Sequence, residues 1–168
     1  MALYKVILSK IDTKSKSGDA MFPRKVVESY LQSERCRQRL EDRCMLGTLT
    51  HIHRYGAEEV TGYGMDDKLL NDAVILFCIT KLWIEGDTLM AEIDIFDDYD
   101  DYSEDQVGKI KQLIRLLKNK VNVPISIVTD ADWDEKTGDM TYLYDIIGAD
   151  VTLNPAFTGA KIISNEEN

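Results

Sequence analysis

Histidine is scarce in this chain, which holds only His51 and His53 among its 168 residues. Because imidazole is the side chain whose charge most readily changes near neutral pH, any histidine-assisted reaction has to use one of these two. The three cysteines, Cys36, Cys44 and Cys78, show neither metal-ligand spacing nor a known nucleophile motif. We therefore expect reduced thiols, as is usual in cytosolic proteins, and no disulfide framework.

Long hydrophobic runs are also missing. The longest, residues 73–84, is interrupted by Thr80 and Lys81, whereas a membrane-spanning helix needs about 20 apolar residues. The first residues lack the basic region, the apolar stretch and the cleavage site of a signal peptide. These absences predict a protein that is cytosolic or assembled inside a cell, with no membrane partner.

Basic residues are outnumbered, with 20 Lys and Arg against 30 Asp and Glu and a formal net charge of −10. Nucleic-acid binding needs clustered basic residues to contact phosphates, so this balance disfavours a nucleic-acid partner. The Arg-rich residues 35–43 include Glu41 and Asp42, a mixture typical of a solvated helix face.

The acidic residues form two short clusters, at 97–101 and 130–134. Carboxylates can bind hard cations, but neither cluster has the glycine that an EF-hand loop requires. The sequence therefore predicts no metal and no other cofactor, and it indicates a solvated acidic loop before a capped helix.

The pattern of apolar residues predicts a mixed α+β fold with mostly antiparallel strands and helices inserted between them. Strands are expected at 3–8, 45–50, 73–84, 88–96, 121–129 and 140–147, and a last short strand at 151–153 after a bend at Gly148. Pro23 suits the start of a helix that extends to about Cys44. Ser103 and Gln106 have capping-box spacing before a second helix, which ends near Lys120.

The length fits a single domain. We assign residues 1–160 to this domain and residues 161–168 to a polar, disordered tail. Residues 54–72 form an unusually long loop, of a kind that is often functional or disordered.

Ser126 lies in one apolar strand, and His51 lies at the end of an earlier one. A serine hydroxyl is a poor nucleophile without an adjacent base, so a serine hydrolase needs at least such a pair of serine and histidine. Taken alone, the pair is weak evidence, because most strand serines do no chemistry. The α/β-hydrolase type is disfavoured, because Ser126 has no Gly-x-Ser-x-Gly elbow around it.

Four stretches, in their order and spacing, resemble the prohead (capsid maturation) proteases of tailed bacteriophages, which share a fold with the herpesvirus assemblins. They are Phe-Pro-Arg-Lys-Val-Val at 22–27 leading into Leu-Gly-Thr-Leu-Thr-His at 46–51, the hairpin at 79–89, Val-Pro-Ile-Ser-Ile at 123–127, and Asp-Val-Thr-Leu-Asn-Pro-Ala-Phe at 150–157. The resemblance spans about residues 22–160 and implies an assemblin-like fold, with a mostly antiparallel β-barrel-like core.

The resemblance also implies a serine endopeptidase with Ser126 as nucleophile and His51 as base. Asp150 is the first choice for the third member, which would orient the imidazole and stabilise its charged form. Asp145 is the alternative carboxylate. His53 could replace His51 as base or serve as the third member, as a histidine does in the herpesvirus enzymes.

The family further implies scaffold and major capsid proteins as substrates, cut inside an assembling prohead in the host cytoplasm. Cleavage after an acidic residue is expected, and a homo-oligomer is allowed for. Relatives often carry a longer C-terminal part that is removed by self-cleavage, so we expect this chain to be a truncated or self-processed form.

A non-enzymatic reading remains open at this point. The net charge of −10 and the acidic residues between Asp94 and Asp105 also suit an acidic interaction module, such as a capsid-assembly factor or a nucleic-acid mimic. The binding of such a module to a basic partner would weaken in high salt.

Overall fold

A closed seven-stranded barrel forms the centre of the computed structural model, which describes residues 2–49, 74–100, 103–152 and 155–164. Around the barrel the strands follow the order β1-β4-β3-β2-β6-β5-β7. Their bounds are β1 Ala2–Lys10, β2 Leu46–Thr48, β3 Ile75–Glu85, β4 Thr88–Ile95, β5 Val123–Trp133, β6 Met140–Val151 and β7 Lys161–Ile162.

Neighbouring strands are antiparallel except for β2 and β6, which run parallel. The predicted α+β fold with a mostly antiparallel barrel core is therefore confirmed. The hairpin predicted at Glu85-Gly86-Asp87 joins β3 to β4, and Gly86 adopts a positive φ of 60° in its turn.

Three helices occur in the described part of the chain: α1 Arg24–Leu31, α2 Glu34–Glu41 and α3 Glu104–Lys118. The single helix predicted from Pro23 to about Cys44 is thus wrong in one respect, because it is interrupted at Ser33. The Ser33 side chain accepts a hydrogen bond from the Cys36 amide (3.1 Å) and starts α2 as its N-cap. Ser103 caps α3 in the same way through the Gln106 amide.

Apolar side chains from the inner faces of the strands and from the helices form one buried core. Helix α3 packs against β5, while α1 and α2 contact both β3 and β6. β2 pairs with β3 and β6 over only three of its own residues, so α1 and α2 cover the remaining gap between those two longer strands. No helix in the described ranges is both long and apolar enough to span a membrane.

The bend predicted at Gly148 and the separate strand predicted at 151–153 are wrong, because β6 runs unbroken from Met140 to Val151. Gly148 has a different purpose. A Cβ atom at this position would lie 1.9 Å from the carbonyl oxygen of Leu46, so only glycine lets β2 approach β6 this closely.

The predicted tail also starts too early. Lys161 and Ile162 form β7, which pairs with β1 on one side and β5 on the other and so completes the barrel. Ile162 is fully buried in the core. Residues 165–168, like the predicted loop at 54–72, lie outside the described residues.

Replacing Gly148 with Ala should destabilise the fold by about 1–3 kcal/mol or more, because the added methyl group meets backbone atoms that cannot rotate away. The matched control is Gly108→Ala in α3, where the added Cβ meets nothing within 4 Å. That change should stabilise the protein by about 0.5–1 kcal/mol, since alanine favours helix. Urea unfolding of both variants checks the opposite signs, and a loss of stability of equal size in both would contradict the close approach of β2 to β6.

Candidate active site

Thr48, Asp150 and Ser126 lie side by side on three neighbouring strands. Thr48 is opposite Asp150 in the β2–β6 pair, and Asp150 is opposite Ser126 in the β6–β5 pair. Residues directly opposite each other in a sheet project from the same face, with Cβ atoms about 4.5–5.5 Å apart in an antiparallel pair. We call these three residues the polar row.

The polar row is on the face of the sheet that points away from the barrel core. Ile125 and Ala149, which precede Ser126 and Asp150 in the sequence, belong to the buried apolar core. Because successive side chains of a strand alternate between faces, Ser126 and Asp150 project to the other side. This face is nevertheless covered, since Ser126 is only 6% exposed and Asp150 is fully buried.

The buried carboxylate of Asp150 is held by the threonine beside it. The Thr48 hydroxyl donates a hydrogen bond to Asp150 Oδ1, and Thr48 is itself fully buried. A carboxylate removed from water is stabilised by such donors and is costly without them. Thr48 therefore fixes the orientation of Asp150 next to Ser126. Sequence reasoning assigned no role to Thr48, because its contact arises from a pairing between strands far apart in the chain.

Two glycines allow β2 to lie close to its two neighbours, with Gly47 facing β3 and Gly148 on β6 facing β2. A Cβ atom at Gly47 would lie 2.1 Å from the Phe77 ring, and one at Gly148 would meet the Leu46 backbone. Both glycines are close to the Thr48–Asp150 pair. In the parallel ladder of β2 and β6, Leu46 is opposite Gly148 and Gly47 is opposite Ala149, the positions just before that pair. The small residues of this short segment thus place Thr48 against Asp150.

The candidate base cannot be located in the same way. Both His51 and His53 lie outside the described residues. Thr48 is the last residue of β2, and the chain reaches His51 three residues later. The roles predicted for the two histidines stay predictions, and the structure shows only that the strand leading toward them enters the polar row.

Asp145, the alternative third member, lies five positions before Asp150 on β6, or about 16 Å along an extended strand. Its carboxylate is 2% exposed and is surrounded by three donors. Tyr30 Oη lies 2.9 Å from Oδ1, Arg39 Nε lies 2.7 Å from Oδ2, and Arg35 Nη2 lies 3.0 Å from Oδ2. We call these four residues the Asp145 cluster. It joins α1 and α2 to β6 and is separate from the polar row.

Two of the three cysteines, Cys36 and Cys78, do not have the character of nucleophiles. Burial raises the pKa of the Cys36 thiol to about 11, and burial also raises the pKa of Cys78. A thiol attacks as its thiolate, so both groups are held in the less reactive form at neutral pH. All three cysteines are free, and Cys44 is half-buried.

The acidic cluster at 130–134 has structural roles. Asp132 accepts a hydrogen bond from Tyr144 Oη at 2.5 Å. The backbone amides of Thr137 and Lys136 donate to Asp134 and lower the pKa of its carboxyl. Among residues 2–49, 74–100, 103–152 and 155–164, no three Asp, Glu, His or Cys side chains come together as a metal site would require.

Comparison with known proteins supports the fold. No protein-family model and no curated protein matches the chain. Among solved structures, that of the bacteriophage T4 capsid assembly protease, gp21, is similar, with a TM-score of 0.51 and 10% sequence identity. The match covers 89% of this chain and 82% of that chain. At this identity the likeness shows the fold alone, and it confirms that the chain has the prohead-protease-like fold expected from its sequence.

In the native protein, Cys44 should react with iodoacetamide first, and Cys36 and Cys78 at least about tenfold more slowly, because burial limits both access and ionisation. Peptide mapping after a time course of alkylation at pH 8 measures the three rates separately. Labelling in urea is the control and should remove the difference. Fast labelling of Cys36 in the folded protein would contradict the packing described for α2.

Proposed function

We propose that this chain is a serine endopeptidase of the prohead-protease type, assemblin-like in fold, with Ser126 as nucleophile. One observation carries the proposal: Ser126 and Asp150 lie opposite each other on neighbouring strands, and β2, which leads toward His51, pairs with the same β6 residue. The resemblance to the prohead proteases implies the same serine and histidine, with Asp150 as first choice for the third member. The fold, similar to that of a capsid assembly protease, adds support.

In the proposed reaction, the imidazole of His51 takes the proton of the Ser126 hydroxyl while the oxygen attacks the carbonyl carbon of a peptide bond. The tetrahedral intermediate collapses to an acyl-enzyme, and the imidazolium gives its proton to the leaving amine. Water, activated by the same imidazole, then releases the acid and restores Ser126. Each half-reaction thus returns the histidine to its neutral form.

Asp150 would act through the imidazole. A buried carboxylate fixes the ring tautomer and stabilises the imidazolium that forms during each proton transfer. Since Asp150 is opposite Ser126, an imidazole lying over the polar row would contact both. The Thr48 hydroxyl prevents rotation of the carboxylate, because it binds one of its two oxygens. His53 remains the alternative to His51. Asp145 is the weaker candidate, because its carboxylate is engaged by two guanidinium groups.

The proposed substrates are the scaffold and major capsid proteins of a phage head, cut after acidic residues inside the assembling prohead in the host cytoplasm. The family resemblance, together with the fold, supports this assignment. Removal of a C-terminal extension by self-cleavage is part of the same proposal.

Ser126→Ala should abolish cleavage of the scaffold or capsid protein encoded beside this chain, because alanine has no hydroxyl to attack the peptide carbonyl. Co-expression followed by intact-mass analysis measures the fragments. The control is Ser9→Ala, another buried strand serine, whose hydroxyl has no hydrogen-bond partner among the described residues; this variant should cleave like the parent. Fragments that persist in Ser126→Ala would refute the nucleophile. No fragments from the folded parent would favour the acidic interaction module, which salt-sensitive binding to a basic partner would then identify.

Asp150→Asn should lower kcat by about 10²–10⁴-fold, because an amide can neither fix the productive imidazole tautomer nor stabilise its charged form. Thr48→Val, which removes only the hydroxyl that orients Asp150, should cost about tenfold, the value of one buried hydrogen bond. Cleavage kinetics with a peptide taken from an observed cut site provide the measurement. A larger effect for Thr48→Val than for Asp150→Asn would contradict the proposed division of roles.

A further inference from the structure

The Asp145 cluster is an unusual feature for a carboxylate outside the polar row. Asp145 Oδ2 lies 2.7 Å from Arg39 Nε and 2.5 Å from Arg39 Nη2, and the same oxygen accepts from Arg35. Arg39 is 4% exposed and Asp145 is 2% exposed. A guanidinium that binds a carboxylate through two nitrogens fixes distance and direction together, which a single hydrogen bond does not.

The two partners of this ion pair belong to the elements that meet at the polar row. Arg39 lies in the last turn of α2, and β2 begins at Leu46, shortly after the helix ends. Asp145 lies on β6, the strand that carries Asp150. The ion pair therefore ties the chain just before β2 to the strand with which β2 pairs.

A second ion pair ties the chain before β2 to a different strand, β4. Arg43 lies between α2 and β2 in the left-handed region, with φ of 55°, and its Nη2 lies 2.8 Å from Asp94 Oδ2 on β4. Arg43 is half exposed, so screening by water makes this the weaker of the two contacts. Together the two pairs restrain both ends of the turn between α2 and β2.

β2 needs such restraints because its own pairing is short. It has three residues, and a parallel pair of that length contributes few interstrand hydrogen bonds. Its antiparallel pair with β3 involves the same three residues, so side-chain contacts next to the strand add to what fixes its position. The buried ion pair is suited to this purpose, since replacing Asp145 removes the carboxylate that binds a guanidinium only 4% exposed.

We propose that Arg39 and Asp145 are positioning residues for the candidate site: their ion pair sets the alignment of β2 on β6, and so the placement of Thr48 against Asp150. This inference rests on the proposed function for its catalytic meaning. The dependence of β2 on the ion pair can be tested by a measurement that does not require enzymatic activity.

The first test is amide hydrogen exchange, measured by NMR in the parent, Asp145→Asn and Arg39→Lys. Exchange of the β2 amides should accelerate at least about tenfold relative to the amides of β1 and β4. Without the ion pair β2 opens locally more often, while the rest of the barrel stays closed. The matched control is Arg37→Gln on the exposed side of α2, whose side chain pairs with Glu34 and Glu41. It should leave the β2 amides unchanged. Equal acceleration in every strand, or none in β2, would overturn the proposal.

The second test is the rate at which a fluorophosphonate probe labels Ser126, measured for all variants at one temperature that lies roughly 20 °C below the lowest Tm among them, so that every variant is folded. Asp145→Asn and Arg39→Gln should label at least about tenfold more slowly than the parent, since small misplacement of reacting groups has effects of that size. Arg39→Lys, which keeps the charge, should recover part of the rate, and Arg37→Gln should match the parent.

The two tests separate the possible failures. A parent protein that is not labelled and cuts no substrate refutes the proposed function, while the exchange data still decide whether the ion pair aligns β2. A labelled parent with variants that react at the parental rate refutes the positioning role and leaves Ser126 in place. If Asp145→Asn does not fold, Arg39→Lys alone decides, because it changes the geometry of the pair while keeping its charge.

Discussion

The parallel contact between β2 and β6 is the constraint on which the rest of the structure depends. It closes the barrel between β3 and β6, although it involves only three residues of β2. The contact is possible because Gly148 leaves room for the Leu46 backbone, and on the other side of β2 Gly47 leaves room for the Phe77 ring of β3. Without this approach the barrel would open along one side, and the three side chains of the polar row would not be neighbours.

β6 carries two buried carboxylates whose surroundings differ, and the difference indicates their roles. Asp145 is bound by Arg35, Arg39 and Tyr30, so its charge is compensated and its orientation is fixed by three side chains. Asp150 has a neutral hydroxyl on one oxygen and a serine hydroxyl opposite it. A carboxylate already paired with two guanidinium groups adds little stabilisation to a positive charge that develops during a reaction, which favours Asp150 over Asp145 as the proposed partner of the imidazole.

The sequence predicted the fold class and most strands because hydrophobic alternation, the Glu85-Gly86-Asp87 turn and the Ser103 cap are local signals. It failed where the deciding contact is between distant residues. Gly148 indicated a bend, because the need for its missing Cβ lies in Leu46, on another strand. Lys161 and Ile162 were assigned to the tail, since a two-residue strand is defined by its partners β1 and β5. Ser126 and Asp150 could be named from sequence as separate candidates, but Thr48 and Arg39 could not.

As evidence for catalysis, the polar row is stronger than the shared fold. A TM-score of 0.51 at 10% identity establishes that the strands follow a similar path, and many activities can occupy one fold. The argument for catalysis depends instead on Ser126 facing Asp150 across β5 and β6. That register is favoured by the inward-facing residues, Ile125 and Ala149, because a shift of either strand by one residue would turn its polar side chain into the core. The same burial that stabilises the barrel therefore keeps the serine and the carboxylate on one face.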